Sequence, residues 1–568
     1  VADYPLTFRA QPAGVPRQLR WSFGDGISVT NQNPVQHAFG STGSFAVVCR
    51  ASNQWGTVAA TTLVSVLSRA AATRYVATNG NDAANGLTWD TAKATIPAAL
   101  AITPPCGWVL VSNGVYATGS AGSSRFSITN PATVLGVNGP EATIILGATN
   151  PLRCAYVCDG ARLEGLTLAN GNTASYGAGG GILFDSSRGS ASNCIIALNI
   201  AQFWGGGVFN GSLYNCTLAG NASGFGGGSA FSKLYSCTLT GNQAMEGGGV
   251  YCGTLTSCLL SNNAANVPFI GSSSFSMGGG AAQSVLFGCD LVDNWTTNLT
   301  IYGGGVGGGA SESTLYNCIL RGNRAIEGGG VARSSFLHNC LLRGNQAQMG
   351  GGVHSVDLVN CTVVSNTASS WGGGAYYSSL KNSICYDNTA PNSSNHSSCG
   401  ITNSCTTPLP SGTGNITNLP LFIDLGAANF HLQAASPCIQ AGWNAFVQNE
   451  TDLDGLARIQ GGRVDMGAYE FAEAVAPALI LAGNLYFGNV PIGLTRQQVM
   501  AIRNSGTAPL NVTGLLCPIG FSGSWTGQLA GGQSKVITIS FSPALAQNYT
   551  GYVAVAANGI TTGHTFIC

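Results

Sequence analysis

Short apolar segments recur through the middle of the chain every 21 or 22 residues, with two longer insertions. Each segment carries a cysteine, usually with a leucine three positions before it, an apolar residue two positions after it and an asparagine five positions after it. The cysteines are Cys194, Cys216, Cys237, Cys258, Cys289, Cys318, Cys340 and Cys361, and the asparagines are Asn199, Asn221, Asn242, Asn263, Asn294, Asn323, Asn345 and Asn366. Glycine triplets keep the same period and start at residues 179, 205, 226, 247, 278, 307, 328, 350 and 372.

This period, with β-forming residues and no helical 3.6-residue pattern, predicts one turn of a parallel β-helix per repeat. Successive turns, or rungs, stack about 4.8 Å apart, so that equivalent residues form columns. The leucine and cysteine columns are predicted to fill the interior, and the asparagines to form an internal ladder of side-chain amides. The glycine triplets are predicted at corners where φ is positive or where a side chain would clash.

The cysteine column is predicted to hold small buried thiols rather than disulfides or nucleophiles. Stacked Cβ atoms lie about 4.8 Å apart, whereas a disulfide needs about 3.8 Å. Cysteines outside the column are better candidates for disulfides, and the pairs considered are Cys154 with Cys158, Cys399 with Cys405, and Cys517 with Cys568. The sequence leaves the pairing open.

The N-terminal region contains WSFGDG at 21–26 and HAFGSTGSF at 37–45, among alternating apolar strands. It resembles a PKD domain, and the residues that carry the resemblance are Trp21, Gly24, Asp25, Gly26, His37 and Phe39. The resemblance implies an immunoglobulin-like β-sandwich over residues 1–70, of a kind that surface and secreted proteins contain.

Residues 75–100 resemble the entry segment of secreted right-handed β-helix proteins, which implies a short helix within 91–100 that covers the open end. SPCIQAGWN at 436–444 and the segment 451–471 resemble the closing segment of that class, although Gln440 replaces the usual acid and puts an ionic role there in doubt. Residues 476–568 resemble immunoglobulin-like modules of large surface proteins, of the choice-of-anchor type. The predicted fold class is all-β, with a right-handed parallel β-helix over 71–474 between two immunoglobulin-like β-sandwiches at 1–70 and 475–568.

The densest charge cluster of the chain lies in the closing segment and comprises Asp452, Asp454, Arg458, Arg463, Asp465 and Glu470. It is predicted to form a salt-bridged end-cap, in preference to an active site or a calcium site. No cofactor is predicted, and calcium stays open as the alternative.

Composition narrows the functional classes. Charged residues make up 8% of the chain and the net charge is zero, which indicates neither nucleic-acid binding nor a basic membrane patch. No apolar run reaches the 18 residues of a membrane-spanning helix. The chain starts at Val1 and is poor in Lys and Glu, so we expect the mature form of a secreted, extracellular or cell-surface protein. Weak charge leaves little repulsion between copies, which favours self-association.

The residue before each glycine triplet varies between repeats and forms the candidate ligand stripe, whose members are Trp204, Phe225, Glu246, Met277, Glu327, Met349 and Trp371. Corner packing against the next rung is one explanation, and a surface on which glycans or another copy dock is the other. The two acids of the stripe stand three rungs apart, about 14 Å, which is too far for the paired carboxylates of a glycosidase. No catalytic residue is predicted.

These features predict a non-enzymatic extracellular structural or adhesive protein that assembles head to tail through its terminal domains into filaments or a surface layer. The alternatives are a polysaccharide-binding adhesin, and a polysaccharide lyase or glycoside hydrolase of the β-helix type. The expected partners are further copies of the chain or, in the alternatives, glycans.

Overall fold

The computed structural model of the chain describes residues 1–2, 6–148, 151–173, 177–266, 276–297, 304–448, 451–471, 477–483, 485–488, 490–506, 508–558 and 560–567, with the side chains at 550 and 560–567 excepted. Within these ranges the chain folds into an N-terminal sandwich, a long parallel solenoid, a closing segment and a C-terminal sandwich. None of the helices in this described part could cross a membrane.

Each rung of the solenoid contributes short strands to three parallel faces. The first face, which in the repeats follows the glycine triplets, consists of Ser124–Ile128, Arg153–Val157, Ile182–Phe184, Val208–Phe209, Ser229–Ala230, Val250–Tyr251, Ala281–Ala282, Ala310–Ser311, Ala375–Tyr376 and His396–Ser397. The second face consists of Thr73–Val76, Trp108–Val111, Thr133–Gly136, Arg162–Glu164, Ser190–Ser192, Ser212–Tyr214, Lys233–Tyr235, Thr254–Thr256, Val285–Phe287, Thr314–Tyr316, Ser379–Lys381 and Gly400–Thr402. Two longer strands, Val331–His338 and Val353–Val359, run through both faces.

The third face precedes the glycine triplets. It consists of Gly114–Tyr116, Thr143–Leu146, Thr167–Ala169, Ile195–Ala197, Thr217–Ala219, Thr238–Thr240, Leu259–Ser261, Asp290–Val292, Ile319–Arg321, Leu341–Arg343, Thr362–Val364, Ile384–Tyr386 and Cys405–Thr406. Short parallel pairings follow it at Gln243–Ala244, Ala264–Ala265 and Trp295–Thr296, and at Gln346–Met349 with Thr367–Trp371. The predicted parallel β-helix is therefore confirmed.

The columns read from the sequence are the columns of the core. Leu234 pairs with Leu255 and Leu255 with Leu286 in the parallel ladder, and all three side chains are fully buried. The asparagine ladder is also confirmed. Asn242 Nδ2 donates to Asn263 Oδ1 at 2.9 Å and to the Leu218 carbonyl at 2.9 Å. Each ladder asparagine thus joins the preceding rung to the next one inside the buried core, where an unpaired amide would be costly.

The two ends of the solenoid are covered by irregular segments. The helix Ile96–Leu100, within the predicted range, packs against the first strands and buries Ile96 and Ala99, and Thr95 Oγ1 caps it by accepting from the Ala98 N–H. At the far end, Asn415 Oδ1 accepts from the Ser404 N–H, and Asn415 Nδ2 donates to the Ile401 carbonyl. Both contacts satisfy polar groups of the last rung that no further rung pairs.

The N-terminal sandwich pairs Leu6–Phe8 with Val35–His37, and packs this pair on a sheet of Gln18–Ser22, Ser28–Thr30, Gly43–Asn53 and Gly56–Val66. Of the predicted signature residues, Trp21, His37 and Phe39 are buried in its core. His37 Nε2 lies 2.6 Å from Asp25 Oδ2, and the His37 ring stacks on Phe23 with centroids 3.9 Å apart. Cys49 faces this core as a free thiol, because side chains alternate between the two sides of the strand Gly43–Asn53.

The closing segment lies along the flank of the late rungs, which corrects the predicted end-cap. It contains the strands Phe422–Asp424, Asn429–Leu432, Ile459–Gln460 and Arg463–Val464, and the 3₁₀ helix Asn444–Phe446. Asn317 Nδ2 donates to the Asp452 carbonyl at 2.9 Å, and Asn382 Nδ2 donates to the Trp443 carbonyl at 3.1 Å. The salt bridges themselves are present, since Arg458 Nη2 lies 3.2 Å from Glu470 Oε1 with both side chains fully buried.

The C-terminal sandwich has one sheet of Leu479–Gly483, Arg496–Asn504, Ser534–Phe541 and Phe521–Ser522, and one of Leu485–Tyr486, Ile560–Ile567, Thr550–Ala557, Leu510–Leu516 and Gly527–Leu529. Its immunoglobulin-like assignment stays a prediction. The sandwich docks on the solenoid, where Asn215 Nδ2 donates to Gln498 Oε1 at 3.2 Å, and on the closing segment, where Arg503 Nη2 donates to the Leu453 carbonyl at 3.1 Å. It therefore lies beside the corner between the second and third faces, as the closing segment does.

Candidate functional site

A continuous surface of variable side chains runs along another corner of the solenoid, where each rung passes from the third face to the first. Three columns line it, namely the residue before each glycine triplet and the residues four and five positions after the first glycine of the triplet. We call this surface the triplet trough. Parallel bridges join the first column in register from Ala178 through Glu246 to Trp371.

The glycines create the trough because the first one in each triplet turns the chain back on itself. Gly247 has φ +64°, and a Cβ there would lie 2.2 Å from the Val250 carbonyl oxygen. The second glycine approaches the next rung, since a Cβ on Gly248 would lie 2.4 Å from the Ala264 carbonyl oxygen. Only glycine fits both positions, and the turn brings the residues on either side of the triplet to one surface.

Aromatic side chains line the N-terminal part of the triplet trough. The Trp204 ring lies 4.7 Å from Phe225, 5.2 Å from Phe231 and 5.6 Å from Tyr251, measured between centroids. Phe231 is 41% exposed, and Trp204 and Phe225 are half-buried. A partly exposed cluster of this kind presents flat apolar faces to a ligand.

A polar network continues from the aromatic cluster onto the next two rungs. The Tyr251 hydroxyl donates to Gln283 Oε1 at 3.1 Å, and Gln283 Nε2 donates to Glu312 Oε2 at 3.2 Å. Through Gln283, this network connects the Glu312 carboxylate to the rung that carries Glu246. Burial, assisted by the negative charge of Glu312, raises the pKa of Glu246 to about 7.

A charged group lies further along the triplet trough. Glu327 Oε2 lies 3.4 Å from His354 Nδ1 and 3.9 Å from Arg333 Nη2. The neighbouring His354, opposed by burial and assisted by the charge of Arg333, holds the pKa of Glu327 below its ordinary value. Two exposed aromatic side chains follow, Trp371 and Tyr377.

The predicted stripe residues therefore share one column but not one environment. Glu246 is 9% exposed and Val306, which continues the column, is fully buried, whereas Trp371 is 43% exposed. Met277 and Met349 are half-buried. Corner packing and surface exposure both occur along the column, and docking of glycans or of another copy stays a prediction.

Sequence analysis did not identify the other two columns, which supply Tyr251, Gln283, Glu312, Arg333 and His354 to the triplet trough. The available signal was their variability, since positions four and five after each first glycine change from rung to rung as the stripe does. The sequence pattern does not show that the left-handed glycine folds these positions against the stripe.

The structure corrects two of the proposed disulfides. Cys154, Cys158, Cys399 and Cys405 are free thiols. Cys154 and Cys158 stand four residues apart along an extended chain, about 13 Å, which no disulfide spans. Cys399 and Cys405 lie at different faces of the last rung, and Cys405 packs with Cys438 of the closing segment instead. Cys517 is also a free thiol, and its proposed partner Cys568 lies outside the described residues.

The column cysteines are buried free thiols, as predicted. Each also has a polar role that the sequence did not suggest. Cys237 Sγ accepts from the Cys216 N–H at 3.5 Å and donates to the Tyr235 carbonyl at 3.4 Å. The thiols thus join successive rungs by weak hydrogen bonds.

The closing-segment charges satisfy one another and the local backbone. Asp452 Oδ2 accepts from the Glu470 N–H at 2.9 Å, and Asp465 Oδ1 accepts from the Gln440 N–H at 2.6 Å. Arg463 instead donates to the Gly442 carbonyl at 2.7 Å. Among the described residues, no group of three or more acids, histidines or cysteines could hold a metal ion, and the calcium alternative remains a prediction.

Solved structures resemble the chain only distantly. The VesB protease of Vibrio cholerae is 20% identical with a TM-score of 0.13, over 16% of this chain and 30% of that one. The chain therefore spans less than a third of the length of that protease. The tailspike gp49 of Acinetobacter baumannii bacteriophage Fri1, a capsular polysaccharide depolymerase, is 11% identical with a TM-score of 0.28, over 89% of this chain and 93% of that one. A rhamnogalacturonan lyase is 11% identical with a TM-score of 0.26, over 64% and 95%. These likenesses carry no argument about function.

Sequence comparison is informative at the N-terminus. No curated protein matches the chain. Residues 1–66 match the PKD domain family, in agreement with the signature residues that meet in the sandwich core. The first 66 residues of this all-β chain are therefore a PKD domain, and a parallel β-helix follows it.

Proposed function

We propose that the protein is an extracellular carbohydrate-binding protein that holds a polysaccharide along the triplet trough. The observation that supports this proposal is the in-register run of partly exposed aromatic and hydrogen-bonding side chains between Trp204 and Tyr377. Ligand sites combine apolar surface with a few placed polar groups, and this trough has both. The polysaccharide-binding alternative is thus preferred over the purely structural hypothesis.

The dimensions of the triplet trough favour a polymer over a single sugar. From the rung of Trp204 to the rung of Trp371 there are seven steps of the solenoid, about 34 Å at the strand spacing. Sugar rings present apolar C–H faces that pack on aromatic rings, and hydroxyl groups that bond to amides and carboxylates. Trp204 and Phe231 are suited to the first contact, and Gln283 and Glu312 to the second.

Binding measurements on the full chain test this proposal. The probes are soluble polysaccharides of neutral, amino-sugar and acidic composition, measured by calorimetry or affinity electrophoresis. We expect Trp204→Ala and Phe231→Ala to weaken binding of the preferred polymer about ten-fold or more, which is about 1.4 kcal/mol.

A matched control comes from another face of the solenoid. Phe287 is 40% exposed and stacks on Tyr316 with centroids 5.1 Å apart, outside the triplet trough. Phe287→Ala should leave the affinity unchanged. Equal losses in all three variants, or a loss in Phe287→Ala alone, would place the binding surface elsewhere.

Head-to-tail assembly through the terminal domains remains the second candidate, because low charge favours association. The C-terminal sandwich contacts the solenoid through Gln498 and the closing segment through Arg503, so only its other surfaces could join a neighbouring copy. Light scattering and electron microscopy of the purified chain test this candidate. Growth into rods longer than one molecule supports it, and a monomer at high concentration contradicts it.

A further inference from the structure

Two carboxyl groups of the triplet trough occupy contrasting environments. Glu246 is almost enclosed between its column neighbours Phe225 and Met277, at 9% exposure. Glu312 is exposed on a residue with φ +50°, and its Oε2 is held by Gln283 Nε2. An enclosed carboxyl group keeps its proton more readily than an exposed one, so the pair is differentiated as a general acid and a general base must be.

The separation of the pair follows from the solenoid geometry. The two residues stand two rungs apart, about 10 Å along the stack. Gln283 lies on the rung between the two acids, where it accepts from Tyr251 of the Glu246 rung and donates to the Glu312 carboxylate. A two-rung spacing lies near the upper end of the roughly 6.5–9.5 Å that inverting glycosidases use to admit a water molecule.

We propose that Glu246 and Glu312 are the catalytic acid and base of a glycoside hydrolase site in the triplet trough. This inference rests on the proposed function, since it needs a polysaccharide bound there. The Glu246 carboxyl donates its proton to the glycosidic oxygen as the bond from that oxygen to the anomeric carbon breaks. A water molecule attacks the anomeric carbon from the opposite side and gives a proton to the Glu312 carboxylate. The products are two shorter sugar chains, one with a new reducing end, and no oxidant or cofactor is needed.

The charges of the triplet trough indicate the class of substrate. Glu246, Glu312 and Glu327 supply three carboxyl groups, while Arg333 and His354 already lie against Glu327. A polyuronate would bring further negative charge to this surface, which costs energy. The site is therefore suited to neutral or amino-sugar polysaccharides.

Cleavage assays with separate binding assays test the inference. The full chain is incubated with neutral, amino-sugar and acidic polysaccharides, and new reducing ends are counted. We expect Glu246→Gln and Glu312→Gln to lower the rate on the order of 100-fold or more while polysaccharide affinity is retained. Asp357→Asn, an exposed carboxylate on another part of the solenoid, is the matched control and should cleave like the unchanged chain.

The pH profile separates catalysis from a structural role. The titratable groups that face Glu246 are Glu312, Tyr251 and Cys252. Since the acid must be protonated and its pKa is about 7, the rate should fall as the pH rises through about 7. Nuclear magnetic resonance of the first product should show an inverted anomeric configuration.

Three outcomes would overturn the inference. Polysaccharide that binds without yielding new reducing ends refutes hydrolysis but leaves the proposed function intact. Products with unsaturated ends indicate elimination instead of hydrolysis. Equal loss of rate in Asp357→Asn shows a general structural effect. Absence of binding to every polymer is the separate failure of the proposed function.

Discussion

At the scale of single residues, the chain separates positions that hold the fold from positions that are free to vary. Asn242 and Asn263 recur because each buried amide donates both to a backbone carbonyl of the preceding rung and to the asparagine of the next rung. Glu246 and Glu312 do not recur, and they lie on the triplet trough. Repetition therefore indicates a structural role, and variation between rungs marks the positions at which we propose that a ligand binds.

Replacement of one ladder asparagine tests this separation. Asn263 Oδ1 accepts from the Asn242 N–H and Nδ2, and Asn263 Nδ2 donates to the Leu239 carbonyl and to Asn294 Oδ1. Asn263→Ala leaves these buried groups without partners, so we expect the free energy of unfolding to fall by about 4 kcal/mol in urea denaturation. Gln243→Ala, exposed on a neighbouring position, is the control and should change it by less than about 0.5 kcal/mol. A similar small change in both variants would show that the ladder is not needed for stability.

At the scale of the element, one rung is the unit of the structure. Thr254 occupies the ladder position of Lys233, and Leu255 that of Leu234, one complete repeat later. Because each rung contacts mainly its two neighbours, a whole repeat can be removed without disturbing the columns.

Two deletions check this property. Removal of residues 233–253 joins Ser232 to Thr254 in register, and we expect circular dichroism and cooperative thermal unfolding like those of the full chain. Removal of 243–253 takes out about half a rung, shifts every following column, and should prevent folding into a soluble product. Equal behaviour of the two shortened chains would show that register does not control folding.

At the scale of the whole molecule, the solenoid is covered along one corner and carries its trough along another. The same left-handed corner column contacts the C-terminal sandwich at Asn215 and the closing segment at Asn317 and Asn382. Arg503 joins the two covering parts, because it pairs with Asp454, whose Oδ2 lies 2.5 Å from His431 Nε2. The covering parts therefore stabilise one another as well as the rungs.

Substitution of Arg503 tests this junction. Although burial opposes it, the hydrogen bond and charge of His431 and the charge of Arg503 hold the pKa of Asp454 below its ordinary value of 3.8. The ionised form is thus favoured by folding, and its contribution is present above pH 3.8 and lost as the pH falls through the lowered pKa. We expect limited proteolysis to cleave the C-terminal sandwich from the Arg503→Ala variant at neutral pH. In the unchanged chain, the sandwich should become sensitive to protease only in acid. Lys535→Ala, an exposed cation on the same sandwich, should leave protease resistance unchanged.

The solenoid could be predicted from the amino-acid sequence alone, because each column residue contacts its equivalent on the next rung. The pattern of one repeat therefore predicts the contacts of all the repeats. Leu234, Cys237 and Asn242 were placed correctly for this reason. The PKD domain could also be predicted from the sequence, since Asp25 and His37 belong to a short local signature.

The contacts between distant parts of the chain became apparent only from the three-dimensional structure. The closing segment lies on a flank of the solenoid and not over its end. The contacts that the C-terminal sandwich makes through Gln498 and Arg503 lie outside the repeats, so no periodic pattern predicts them. The triplet trough shows the same limit, because Glu246 and Glu312 are 66 positions apart in the chain (312 − 246) and come together only through two rung steps and the positive φ of the triplet glycines. Periodicity predicts neighbours within columns, whereas contacts between columns depend on how each corner turns.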